Sequence, residues 1–170
     1  MTARIRRLRE GEARLLRDLR LRALQDAPAA FADSLAEGRA QPPERWTEWT
    51  RTGAAGESRV TVVAVEADRG LAMVAGRLLA DPPGAAWLEA LWVDPSIRRA
   101  GLGSGLVEAV ADWSRERGAT RLDLSVTEGN EPARAFYARA GFLETGRRRP
   151  LPADPSRTEV FLSRPFRAAA

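Results

Sequence analysis

Val93-Asp94-Pro95-Ser96-Ile97-Arg98-Arg99-Ala100-Gly101-Leu102-Gly103-Ser104-Gly105-Leu106 is the stretch on which the fold turns, because the chain changes period across it. Three strand-like segments precede it. Residues 60–65 are β-branched, 71–79 are apolar after the turn signal Asp68-Arg69-Gly70, and 87–93 follow Asp81-Pro82-Pro83-Gly84. Short turns between neighbouring strands imply an antiparallel meander. Beyond the stretch, Leu102, Leu106, Ala109, Val110 and Trp113 recur at helical spacing until Gly118.

Upstream, leucines at 15, 16, 19, 21 and 24 predict a helix over 11–25, and Ile5 and Leu8 suggest a short strand before it. Residues 26–43, with Pro28, Gly38, Pro42 and Pro43, read as loop or broken helix. Trp46 and Trp49 sit three apart on a second short helix, as core or as pocket wall, with core preferred. Downstream, Leu122, Leu124 and Val126 alternate with Asp123, Ser125 and Thr127, a half-buried strand. Ala133, Phe136, Tyr137 and Ala140 mark a helix that Gly141 stops. Residues 142–146 and 159–163 read as two last strands, with 147–155 as the loop between them. The order β-α-α-β-β-β-α-β-α-β-β predicts a single α/β (α+β) domain over 1–170, with one mixed, mostly antiparallel sheet flanked by helices.

Composition removes much chemistry. The 170 residues contain no histidine and no cysteine, and all 27 basic residues are arginine. Ser-His-Asp and Cys-His catalysis, the usual zinc sites, lysine Schiff bases, the phosphate-loop lysine and disulfides are thereby excluded. Carboxylates, hydroxyls, arginines, amides, one phenol (Tyr137) and the backbone remain. The sequence pI of 10.9 reflects the missing buffering groups behind a net charge of +4, so it argues weakly for a nucleic-acid partner. The apolar runs fall short of the roughly 20 residues of a membrane span, and the N-terminal residues do not read as a signal peptide. The expectation is a cytoplasmic protein with no metal, no nucleic-acid partner and no membrane contact.

The glycine turn carries the next inference. A helix start leaves about four N–H groups unpaired and a partial positive charge. With Gly101 and Gly103 offering close approach, and Arg98 and Arg99 adding charge, the turn suits a phosphate or pyrophosphate. The bland alternative is a tight turn with solvated arginines. Leu106 breaks G-x-G-x-x-G, so a dinucleotide fingerprint is not met.

The segment 93–106 resembles the V-x-P, R-x-x-G-x-G signature of the GNAT family of acyl-CoA-dependent N-acetyltransferases. Asn130-Glu131-Pro132-Ala133-Arg134-Ala135-Phe136-Tyr137-Ala138-Arg139-Ala140-Gly141-Phe142 is similar to the family's N-x-x-A-x-x-F-Y-x-x-x-G-F pattern. Arg99-Ala100 departs from it, since glycine or lysine is more usual there. The resemblance implies acetyl-CoA as cosubstrate, its pyrophosphate on the turn at Arg98, Arg99, Ala100, Gly101, Leu102, Gly103 and Ser104. Its arm would run along the strand end at Leu91, Trp92 and Val93, near Asn130, Ala133 and Tyr137. Asn130 also suits the N-cap of its helix.

The resemblance further implies transfer of an acetyl group to a primary amine. Glu89, alone in an apolar strand, is the candidate base or water-orienting group, and burial is expected to raise its pKa. Its alternative is a solvent-facing or arginine-paired carboxylate. Tyr137 falls where the family places its general acid; its alternative is a core aromatic. With no cysteine, direct transfer in a ternary complex is expected. Arg147 to Arg149 read as a solvated run or the border of an acceptor pocket. The acceptor and the oligomeric state, a homodimer included, stay open, and a non-catalytic acyl-CoA sensor is the rival reading.

Overall fold

The computed structural model describes residues 3–98, 100–152 and 154–166. One seven-stranded sheet runs in the order β1-β2-β3-β4-β5-β7-β6. Its strands are β1 (Arg4–Arg7), β2 (Arg59–Glu66), β3 (Arg69–Leu78), β4 (Ala85–Val93), β5 (Arg121–Thr127), β6 (Leu143–Leu151) and β7 (Asp154–Pro165). The helices are α1 (Ala13–Asp26), α2 (Leu35–Ala40), α3 (Pro43–Ala55), α4 (Leu102–Glu116) and α5 (Glu131–Arg139). Every neighbouring pair is antiparallel except β4 and β5. The mixed, mostly antiparallel sheet flanked by helices is the architecture the sequence predicted.

Two details correct that reading. The segment 26–43 contains a formed helix, α2, begun by a capping box in which Ser34 and Glu37 satisfy each other's backbone N–H groups. The arginine run 147–149, expected in a loop, lies inside β6, and β7 begins at Asp154 rather than at 159. β6 is an edge strand with nearly every residue exposed, so it has no apolar alternation to announce it.

The central strands are covered on both faces, which explains their unbroken apolar runs. On one face Val60, Val62, Ala64, Val74 and Leu88 meet Leu106, Val110 and Trp113 of α4, with Tyr137 and Phe142 completing the cluster. On the other, Val63, Val65, Met73 and Trp92 meet Leu16 and Leu19 of α1 and Trp46 of α3.

β4 departs from regularity where it matters. Met73 pairs with Trp92 and Ala75 with Glu89, so two residues of β4, Ala90 and Leu91, stand opposite Val74 alone. Ala90 takes φ +57°, a left-handed conformation that an L-residue adopts at a cost. The bulge reverses the alternation. Before it, even-numbered Ala86 and Leu88 face the α4 cluster; beyond it, Leu91 and Val93 do, and Ala90 and Trp92 turn to the α1 side.

Candidate functional site

β4 and β5 pair only from Ala85↔Arg121 to Trp87↔Asp123. From Leu88 onward no strand is registered against that side of β4, while β5 continues to Thr127 on β7. The sheet thus opens between two parallel strands at their C-terminal ends, where the bulge lies. A cleft of about 630 Å³ enters there, lined by α1, α3, the segment 30–33, β4, β5, α5 and residues of β6 and β7. It brings together Glu89, Leu91, Asn130, Ala133 and Tyr137 from the expected set.

The turn after β4 is held by its own carboxylate. Asp94 accepts from Ser96 N at 2.9 Å and Ser96 Oγ at 2.7 Å, and from Arg69 at 2.9 Å, and it pairs with Arg22. The Ser96 hydroxyl bond, then the Ser96 N–H and the two guanidiniums, hold its carboxyl below the usual aspartate range against the cost of burial. Gly101 caps α4 at φ +79°, and a Cβ there would meet nothing within 4 Å, so the backbone angle is what calls for glycine. Gly103 is different: a Cβ would come 3.3 Å from the Phe136 ring, so glycine here lets α4 approach α5. Gly105 N bonds Gly101 O at 3.1 Å, and among the described residues no carbonyl accepts from the N–H groups of Leu102, Gly103 or Ser104. Three aligned donors at the start of a fifteen-residue helix suit a phosphate. Ala100 is exposed beside them. Arg99 lies outside the described residues.

Arg98 does not stand free as the sequence reading supposed. Its Nε donates to Val93 O at 3.0 Å, and its guanidinium also meets Asp26. Trp92 turns its ring to the α1 side and donates to Asp26 Oδ2 at 2.9 Å, so only its main chain faces the open edge. Asn130 is an N-cap, its side chain accepting from Ala133 N at 3.3 Å, and it lines the cleft as well.

Glu89 is not buried. It is half-buried on the cleft wall with Arg77 Nε at 3.5 Å and Arg59 Nη1 at 3.8 Å, so the paired alternative describes its surroundings. Tyr137 is 7% exposed, in edge contact with Phe136 and Phe142. Its hydroxyl has no hydrogen-bond partner among the described residues, and burial pushes its pKa well above the usual phenol value. The ring is core, and the residue also lines the cleft.

Trp46 is core, as preferred; Trp49 stacks on it at 6.0 Å between centroids and forms cleft wall. Arg147 to Arg149 stay off the wall themselves. Arg149 instead anchors Glu159, which lines the cleft and also accepts from Ser125 Oγ at 2.8 Å. Arg20, Asp33, Arg45, Glu48, Arg59, Trp87, Ser125 and Glu159 are cleft residues that sequence reasoning missed. Only Ser125 carried a signal, as a polar position of an alternating strand.

The model of the acetyltransferase (GNAT) family matches residues 20–142. Streptothricin acetyltransferase of Streptomyces lavendulae is 42% identical over 86 residues, 51% of this chain and 46% of that protein. An aminoglycoside N(6')-acetyltransferase of Klebsiella aerogenes is 37% identical over 70 residues, 39% of this chain and 46% of that one. The chain thus spans less than half the length of the curated relatives it matches. An acetyltransferase from Salmonella typhimurium solved with acetyl-CoA superposes with a TM-score of 0.79 at 15% identity, covering 100% of this chain and 97% of that one. The Thermoplasma acidophilum paia N-acetyltransferase, solved with coenzyme A, superposes with a TM-score of 0.77 at 14% identity over 98% and 100%.

Proposed function

The chain belongs to the acetyltransferase (GNAT) family, and on that premise we propose that it moves an acetyl group from acetyl-CoA to a primary amine by direct transfer in a ternary complex. The observation that carries this is the open edge of β4 running into the start of α4, whose first N–H groups have no acceptor among the described residues. An extended arm adds to a free strand edge through main-chain hydrogen bonds, and a pyrophosphate seats on helix-start N–H groups. The residues fit acetyl-CoA: Leu102, Gly103 and Ser104 offer donors, Gly101 makes the left-handed turn that aims them, and Leu91, Asn130 and Ala133 border the arm. Bound there, the coenzyme supplies a thioester carbonyl open to attack from the cleft.

An alkylammonium with a pKa of about 10.4 is mostly unreactive at neutral pH, so a proton acceptor is needed. Glu89 on the cleft wall takes that proton, directly or through one water. Tyr137 faces the departing sulfur. Its raised pKa keeps the hydroxyl protonated, so it stands ready as a donor to that sulfur. The hydroxyl donates to the charge that develops on sulfur, which leaves as the thiol by taking the second proton that the attacking nitrogen sheds. No cysteine exists to carry an acyl intermediate.

The test is free-thiol release from acetyl-CoA across a panel of primary amines. Turnover with intersecting initial-rate lines supports direct transfer; parallel lines contradict it. Stabilisation by acetyl-CoA with no acceptor acetylated supports the sensor reading instead.

A further inference from the structure

On the acceptor side of the cleft one wall arginine is left without a carboxylate among the described residues. The four carboxylates there are each taken by an arginine. Asp33 meets Arg20 at 2.9 Å, Glu48 meets Arg51 at 2.8 Å, Glu89 meets Arg59 and Arg77, and Glu159 meets Arg149. Arg45, on the cleft wall and exposed, has no acidic partner among the described residues. Of the three arginines on the wall, Arg20 and Arg59 are paired and Arg45 is not.

Arg20 adds a sharper observation. Its side chain is nine-tenths buried, its guanidinium carbon lying 4.6 Å from the Phe31 ring centroid and 5.8 Å from that of Trp49. Nη2 donates to Asp33, but Nη1 has neither solvent nor an acceptor. A buried guanidinium N–H left unpaired carries a desolvation cost that an incoming oxygen relieves. The planar fork of arginine suits a carboxylate in particular.

We propose that the acceptor carries a carboxylate beside its reacting amine, and that Arg20 and Arg45 hold this group at the α1–α3 end of the cleft. The proposal rests on the acetyl-transfer reading for the amine, but the anion site stands on its own residues.

The test uses product-like probes, so it does not depend on turnover. N-acetyl derivatives of glycine, leucine, phenylalanine and glutamate are titrated calorimetrically into the chain saturated with coenzyme A, each beside its carboxamide. The expected result is at least about tenfold tighter binding of some carboxylate than of its amide, a preference that fades with added salt. Arg45→Ala, on an exposed helix position, is expected to reduce that preference several-fold with an unchanged circular dichroism spectrum, and Arg20→Gln to reduce it further. Equal binding of acids and amides, or no binding of any of them, overturns the proposal. So does a preference that survives in Arg45→Ala and Arg20→Gln alike. Free-thiol release with the parent amino acids then separates the two readings: turnover without a carboxylate preference sinks the anion site alone, and a carboxylate preference without turnover sinks acetyl transfer alone.

Discussion

The two ends of the cleft are built by different means. The end between the β4 edge and the start of α4 presents main chain: N–H groups with no acceptor among the described residues, a bulge, and a glycine at positive φ. The end between α1, α3 and β7 presents side chains, arginines and carboxylates paired across segments far apart in sequence. Recognition by main chain suits a donor of fixed shape, because any sequence that makes the turn makes the site. Recognition by side chains lets one scaffold serve many acceptors, since each contact can be replaced alone.

If the main-chain end performs the transfer, its substitutions should cost the most. Tyr137→Phe is expected to lower kcat by about 10²-fold while moving coenzyme affinity little, read by steady-state rates and calorimetry. An equal loss in both would make Tyr137 a packing residue. Gly101→Val puts a β-branched residue at φ +79°, strained against its own backbone although no neighbour lies within 4 Å, so the turn should shift and coenzyme Kd rise about tenfold with the rest of the fold intact. Unchanged affinity would remove the helix start as the phosphate seat. Glu89→Gln, at the border of the two ends, is expected to lower kcat/KM for the amine by about tenfold, an effect that shrinks as pH approaches the pKa of the amine. A pH-independent loss would assign Glu89 to acceptor binding instead.

The pH profile sharpens the same contrast. Burial raises the pKa of Tyr137, so the hydroxyl stays protonated through the alkaline range and no fall in rate from its ionisation is expected between pH 8 and 10. A fall that disappears in Tyr137→Phe would contradict the hydrogen-bond role. The smallest effect is on stability. Asp94 ties Ser96, Arg22 and Arg69 to the turn, and Asp94→Asn should lower Tm at pH 7 by about 2–8 °C. Its folded pKa is depressed, so the wild-type advantage is full above the unfolded aspartate pKa and is lost as pH falls through the folded value. Melting curves at pH 7 and pH 3 check this; an advantage that grows toward acid would contradict it.

Legibility in the sequence follows the same division. The turn at 101–104, the helix of Asn130 and Tyr137, and the meander could be read because their requirements are local: glycine spacing, a cap, a period. The bulge at Ala90 was hidden, because the run 85–93 contains no glycine to mark it and its apolar residues fill both faces. Arg147 to Arg149 looked like a loop because an edge strand need not alternate; Arg147 packs over the Phe161 ring at 4.3 Å while Arg149 holds Glu159. Glu89 was expected to be buried because its neighbours are apolar, but Arg59 and Arg77 reach it from β2 and β3, partners no local pattern foretells. Arg20 lay unnoticed among the polar positions of an amphipathic helix, since its ring contacts come from Phe31 and Trp49.

The central claim is that main-chain amides at the start of α4 hold the coenzyme's pyrophosphate beside the open β4 edge. Titration of the ¹⁵N-labelled chain with coenzyme A, followed by amide NMR, tests it most directly. The account predicts the largest downfield proton shifts at Leu102, Gly103 and Ser104, with accompanying changes at Leu91; changes confined to the arginine-lined end, or none, would contradict it.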